Sequence, residues 1–306
     1  MGKIAFVFSG QGAQYSGMGK SLYDLGLSAK KLYDTAEEIR PGTMEQSFSG
    51  SDEDLRKTEN TQPCLYLVDL SAALSLNDKG VFADGVAGFS LGEVAALAYA
   101  GSYSYSDGFK IVKSRGELMG EAANSADTAM AAVLKLDSKT ISDTASQFKQ
   151  LYAVNYNGPT QTVVSGLASS MEPFSEKIKE LGGRVVPLAV SAAFHSPFMD
   201  EASKAFGGVL GGYELKKPSI PVYANLTAKP YGDDVAQSLE AQMKSPVRWQ
   251  ETIENMIADG FTDFIEVGAG KTLCGLIKKI SKDVRVYSVE TAESLEETVK
   301  TVKENA

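Results

Sequence analysis

The pentapeptide Gly88-Phe89-Ser90-Leu91-Gly92 constrains this 306-residue chain more than any other stretch. A short apolar run, residues 86–89, leads into it, and a helical pattern over residues 93–100, closed by Gly101, leads away. A strand that turns at once into a helix lifts a serine hydroxyl clear of a sheet, and glycines two residues to either side let the backbones crowd together. The N–H of Leu91, at the helix start, can then face an oxyanion. Such a turn belongs in a parallel α/β sheet, where strands feed covering helices. The same five residues also suit an ordinary glycine-rich turn, and the pattern alone leaves both readings open.

The rest of the chain carries the same rhythm, with one interruption. Residues 4–8 read as a buried strand, followed by a glycine-rich loop over 9–19 and a helical pattern to about residue 39. Thr61-Gln62-Pro63 opens a second apolar helix that ends at Gly80, and a third helix spans 105–124. The middle differs: strand 129–136, helix 139–149, strands 151–156 and 161–166, helix 170–181, strand 185–190. The turn signal between the paired strands is Asn157-Gly158-Pro159. This β-α-β-β-α-β order is that of a ferredoxin-like unit. The expected architecture is therefore α/β, with a small ferredoxin-like subdomain at 126–190 inserted into a large unit made of 1–125 and 191–306. Beyond it, a helix over 196–210, a strand at 221–224, a helix over 249–259 and a strand at 261–267 precede a charged helical tail.

Several function classes fall away. A net charge of −9 argues against nucleic acid as a partner. Cys64 and Cys274 stand far apart in no pairing pattern, which excludes a cysteine metal site and fits a reducing compartment. The apolar run 4–8 is too short for a secretory leader, and no stretch is long enough for a membrane span. Phe6 stands where a myristoylation signal needs Ser or Thr. The expected location is cytoplasmic. Gly10-Gln11-Gly12 lacks the third glycine of a dinucleotide loop, since Tyr15 holds that place. Gly19-Lys20-Ser21 and Gly270-Lys271-Thr272 lack the earlier P-loop glycine, at Gln14 and Ile265.

If Ser90 is a nucleophile, it needs a base, because an unassisted hydroxyl is weak near neutral pH. The chain has one histidine, His195. It precedes Ser196-Pro197, a natural cap and first helical residue, so it lies on a loop at a helix start whose dipole favours neutral imidazole. Local capping or packing is the alternative. Arg115 lies amid Ile111, Val112, Leu118 and Met119 on the face that should pack inward. A buried guanidinium must meet an anion, either a protein carboxylate or a substrate carboxylate held by its fork. The first loop could supply a second oxyanion N–H, from Gln11. Lys271, Lys278, Lys279 and Lys282 form a cluster that reads as a solvated helix face or as a patch for an acidic partner.

Taken together, six motifs resemble the malonyl-CoA:acyl-carrier-protein transacylase family. They are Phe8-Ser9-Gly10-Gln11-Gly12-Ala13-Gln14, Gly88-Phe89-Ser90-Leu91-Gly92-Glu93, Ser114-Arg115-Gly116, Ala193-Phe194-His195-Ser196, Pro246-Val247-Arg248-Trp249 and Glu266-Val267-Gly268-Ala269-Gly270-Lys271. The resemblance implies a hydrolase-like parallel-sheet core carrying the ferredoxin-like subdomain. It implies Ser90 as nucleophile, His195 as base, Arg115 as holder of the malonyl carboxylate, and Gln11 and Leu91 as oxyanion donors. In place of a triad aspartate, a backbone carbonyl orients the histidine, here that of Gln242. Met119 and Phe194 would line the pocket, and Ala-Phe-His resembles the malonyl-selective form. Malonyl-CoA and acyl carrier protein would be the partners of a monomer that needs no metal or other cofactor, with neither nucleic acid nor membrane involved. The rivals are a serine thioesterase or hydrolase, a malonyltransferase acting in trans in a polyketide pathway, and a non-catalytic carrier-binding module. Two departures stand out: Phe89 where many relatives have His, and Ala269 where many have Pro.

Overall fold

In the computed structural model, which describes residues 2–190 and 192–305, the first strand sits at the centre of the larger sheet. β1 (Lys3–Phe8) is buried from its second residue on, so both of its faces need cover. Ile4, Phe6 and Phe8 pack into a core with Leu65, Leu97 and Ile111, whereas Ala5 and Val7 face Trp249, Ile253 and Ile277 on the other side. The remaining strands are β2 (Gly85–Gly88), β3 (Thr128–Leu134), β4 (Leu151–Gly158), β5 (Gln161–Leu167), β6 (Arg184–Pro187), β7 (Val222–Tyr223), β8 (Phe261–Val267) and β9 (Arg285–Val289). The larger sheet runs β7-β2-β1-β8-β9, and every pair in it is parallel. The chain first builds to one side of β1 and then to the other. A crevice therefore opens at the carboxyl ends of β1 and β8, where such sheets bind ligands.

The second sheet is antiparallel, in the order β4-β5-β3-β6. Helices Ser138–Ala145 and Ala168–Glu180 cover one face, where Val133 and Val164 meet Ile141, Phe174 and Ile178. Alternation along the strands turns Met130, Ala132 and Val163 to the opposite face, against the main core. The edge of β4 is tied to the larger unit: Val247 N–H donates to Val154 O at 2.8 Å, and Tyr156 N–H to Val247 O at 2.9 Å. The strand order is ferredoxin-like, as expected, and the expected boundary at 190/191 falls beside Ser191, outside the described residues.

Local details differ from the sequence expectation for identifiable reasons. The first helical pattern breaks at Gly26 (φ 79°) into Lys20–Asp24 and Leu27–Ile39. The helix expected to open at Thr61 begins three residues sooner, as Thr58–Asp78. There the Lys57 carbonyl accepts the N–H groups of Asn60 and Thr61, leaving Pro63 inside the helix. Asn157 and Gly158 belong to β4, and the turn falls on Pro159-Thr160. Ser196 caps a 3₁₀ turn, Pro197–Met199, ahead of helix Asp200–Leu210. Three helices, Thr43–Ser49, Asp52–Arg56 and Val235–Gln242, were not expected. The charged tail contains β9, which joins β8 and is anchored by the Arg285 fork on Asp263, 2.6 Å to each oxygen.

Candidate active site

β2 ends at Gly88, helix Leu91–Tyr99 begins at once, and Ser90 makes the turn with φ 54° and ψ −103°. That conformation is costly for any residue with a side chain. It is possible here because Gly88 and Gly92 have none. A Cβ on Gly88 would strike the Gly92 backbone, and one on Gly92 would strike the Phe8 and Ser9 carbonyls.

Ser90 Oγ lies 2.8 Å from His195 Nε2. On its other side, His195 Nδ1 lies 3.0 Å from the Gln242 carbonyl. A carbonyl only accepts, so Nδ1 carries the proton and donates, and Nε2 is the bare nitrogen facing the serine hydroxyl. His195 also has a positive φ, 60°, and is 4 % exposed. Burial, with the charge of Arg115 behind it, lowers its pKa to about 4, against the opposing pull of the Gln242 carbonyl. The imidazole is neutral at ordinary pH.

Arg115 is fully buried on helix Tyr105–Ala123, as the periodicity required. Its Nη1 donates to Gln62 Oε1 at 2.8 Å, and its Nη2 to Gln242 Oε1 at 2.9 Å and Ser90 Oγ at 3.2 Å. These partners are neutral, and Nε has none among the described residues. The protein-carboxylate pairing left open by the sequence is not made there. Burial lowers the guanidinium to a pKa of about 10, so it stays charged. Gln242 does more than its carbonyl suggested: its Nε2 also donates to the Ser90 carbonyl at 2.8 Å.

A cavity of about 250 Å³ opens in front of this cluster, lined by Ser90, His195, Gln11, Met119 and Phe194 among others. Leu91 is buried as the first residue of its helix, and Arg115 and Gln242 stand behind the serine rather than in the wall. Four further residues matter that the sequence reading passed over. Asn155 and Asn157 on β4 line the cavity with side-chain oxygens buried and unpartnered among the described residues. Asn157 was hidden by its resemblance to a turn residue. Glu93 and Asn225 lie beneath Ser90. Glu93 left a signal, as the one charged residue of its helix, but Asn225 left none. The helix Thr272–Ile280 turns Leu273 and Leu276 to the cavity and leaves Lys278 and Lys279 exposed. Lys279 Nζ reaches Gln161, at the cavity wall, at 3.3 Å.

A model of the acyl transferase domain matches residues 5–304. This chain belongs to the acyl transferase domain family. The malonyl CoA-acyl carrier protein transacylase of Bacillus subtilis (strain 168) is 39 % identical to this acyltransferase over 312 residues, 99 % of this chain and 98 % of its own. The solved malonyl CoA-acyl carrier protein transacylase of Clostridium perfringens superposes with a TM-score of 0.95 at 36 % identity, covering 99 % of this chain and 98 % of that one. A malonyl-transacylase solved in complex with its type II PKS acyl-carrier protein has a TM-score of 0.94 at 30 % identity, covering 98 % and 99 %. Among the described residues of the acyltransferase, no group of His, Cys, Asp and Glu is placed to hold a metal. No helix there is long and apolar enough to cross a membrane.

Proposed function

We propose that this acyltransferase moves a malonyl group from coenzyme A to the phosphopantetheine thiol of an acyl carrier protein, through a malonyl ester on Ser90. The observation that carries this reading is the position of Ser90 Oγ. It lies 2.8 Å from a neutral base and 3.2 Å from a buried cation with no acidic partner among the described residues. The curated and solved relatives bear the corresponding name, and the reaction supplies malonyl carrier protein for fatty-acid synthesis.

The route is ping-pong. Ser90 Oγ attacks the thioester carbon while His195 Nε2 takes its proton, and the Gln242 carbonyl holds the resulting imidazolium through Nδ1–H. The tetrahedral oxyanion is met by backbone N–H groups. In the nucleophile turn, the N–H groups of Ser90, Gly92 and Glu93 already donate to Asn225 Oδ1, Phe89 O and Ser90 O, which favours Leu91 as one donor. Gln11, across the cavity, is the other. His195 then returns its proton to the departing coenzyme A thiolate. In the second half the carrier's thiol gives its proton to His195 and attacks the ester, and Ser90 recovers a proton as it leaves. Arg115 holds the free carboxylate, one methylene beyond the ester carbonyl. Met119 and Phe194 shape the acyl space.

Each step uses a side chain or backbone group named above and calls on no cofactor. Residues 126–190 act as an inserted subdomain that roofs the cavity, and the enzyme works as a cytoplasmic monomer. The lysines at 271, 278, 279 and 282 are exposed and form no ion pair among the described residues, and Lys279 reaches Gln161 at the cavity wall, which suits the cluster to an acidic carrier.

The test is the intact mass of the protein after brief mixing with malonyl-CoA, beside Ser90→Ala. A malonyl-sized gain in the wild type alone supports the reading. No gain in either, or release of free malonate as fast without carrier as transfer with it, removes it.

A further inference from the structure

Asn225 follows the two-residue strand β7 at the carboxyl edge of the larger sheet and is fully buried. Each of its four polar atoms has a partner. Oδ1 accepts the N–H of Ser90 at 2.8 Å, and Gln242 Nε2 lies 3.4 Å from the same oxygen. Nδ2 donates to the Gly88 carbonyl at 2.6 Å. The backbone N–H donates to Glu93 Oε2 at 2.6 Å, and the backbone carbonyl accepts from Arg248 N–H at 3.0 Å. One carboxamide thus grips the backbone on either side of Phe89, leading into the bend at Ser90.

The turn needs a grip from outside itself. Ser90 stands at positive φ, and its N–H points away from the helix it begins, so no helical carbonyl can satisfy it. The contact comes from a segment 135 residues away in the chain. Glu93 then holds Asn225. It is fully buried, and its other oxygen accepts the O–H of Tyr231, which is itself tied to β7 by its N–H to Val222 O at 2.8 Å. Burial raises the Glu93 carboxyl to about 7, while Tyr231, Asn225 and the charge of Arg115 favour its ionised form. None of the three is among the residues that line the cavity.

We infer that Asn225 is a positioning residue for the reaction. Its carboxamide holds the strained Ser90 backbone so that the hydroxyl stays within reach of His195, and Glu93 with Tyr231 holds the carboxamide. This rests on the reading of Ser90 as nucleophile. Because both polar atoms of the Asn225 carboxamide are engaged by the backbone of the nucleophile turn, its loss slows formation of the acyl-serine and leaves capture of malonyl-CoA nearly unchanged.

The experiment measures Ser90 modification by two reagents, malonyl-CoA and phenylmethanesulfonyl fluoride, in the wild type and Asn225→Ala, with the malonyl-CoA KM alongside. The sulfonyl fluoride reads serine reactivity without any use of Arg115. Displacing a reacting atom by about 1 Å costs on the order of a hundredfold, so both rates should fall by about that factor. The KM should stay within about threefold, and circular dichroism should show a folded protein at the assay temperature. Wild type labelled by both reagents, with Asn225→Ala labelled within about twofold of it or impaired in KM alone, overturns the inference. Wild type labelled by neither overturns it too, by removing Ser90 as nucleophile. If Asn225→Ala does not fold, Asn225→Asp is read by the same criteria. It has the same shape and still accepts from Ser90, but it cannot donate to Gly88.

Discussion

Replacing Arg115 with alanine separates the two jobs its position allows, holding the acyl group and holding the site. The guanidinium is fully buried and donates only to Gln62, Gln242 and Ser90. On the proposed reading, its charge meets its first direct acidic partner when a malonyl carboxylate arrives. Breaking a buried ion pair typically costs about 3–5 kcal/mol. At 1.4 kcal/mol per decade, that is roughly two to three and a half orders of magnitude in kcat/KM for malonyl transfer. The substitution also leaves two buried amide oxygens unpaired, at about 1–3 kcal/mol each if no water replaces the donor. That second loss falls on malonyl and acetyl transfer alike, because it acts through the shape of the site. The ratio of the two activities isolates the first. Transfer from radiolabelled malonyl-CoA and acetyl-CoA to holo carrier protein, compared in wild type and Arg115→Ala, should show the malonyl preference collapse by about a hundredfold or more. Equal losses for both acyl groups would refute the assignment and leave Arg115 a structural residue.

Malonyl-serine formation should also keep its base in acid. Neutral imidazole is the active form, and burial beside Arg115 lowers the His195 pKa to about 4, so the rate holds above that pH and falls as pH drops through it. Stopped-flow acylation of protein shown to be folded at each pH checks this, and an acid limb at the ordinary value of 6.5 would contradict it. Gly88→Ala drives a methyl group into the Gly92 backbone. It should lower the thermal midpoint, by overpacking worth about 1–3 kcal/mol, and abolish the adduct, as calorimetry and intact mass would show. Gly208→Ala, in a helix with open space around the new methyl group, should do neither. Lys278→Glu with Lys279→Glu should raise the carrier KM at low salt and leave Ser90 labelling unchanged. An unchanged carrier KM would move the docking surface elsewhere.

Much of this molecule was legible before any coordinates. β8 was expected at 261–267 and is found there, because Phe261, Phe264, Ile265 and Val267, bounded by Gly260 and Gly268, form a stretch too short for much else. Helix Tyr105–Ala123 differs from expectation by one residue, since Ser104 caps its start through the N–H of Asp107. The fold class followed from such local signals. Where they misled, a tertiary partner had won. Asn157-Gly158 carries a turn signature but lies in β4, paired to β5. The alternating residues 285–289 passed for charged tail until β8 supplied the strand they pair with.

Within the site, the serine turn, the single histidine and the misplaced arginine could be picked out one at a time, each by a rule that acts over a few residues. The sequence alone singled these three out as candidates and left an ordinary turn, local capping and a protein carboxylate open beside them. It could not determine what surrounds them. Arg115 finds its amide partners 53 and 127 residues away, and Ser90 finds Asn225 at a distance of 135. Dihedral preference and hydrophobic period are local and leave their mark in consecutive letters. Which buried donor meets which acceptor depends on the order of strands in the sheet, which only the assembled chain decides.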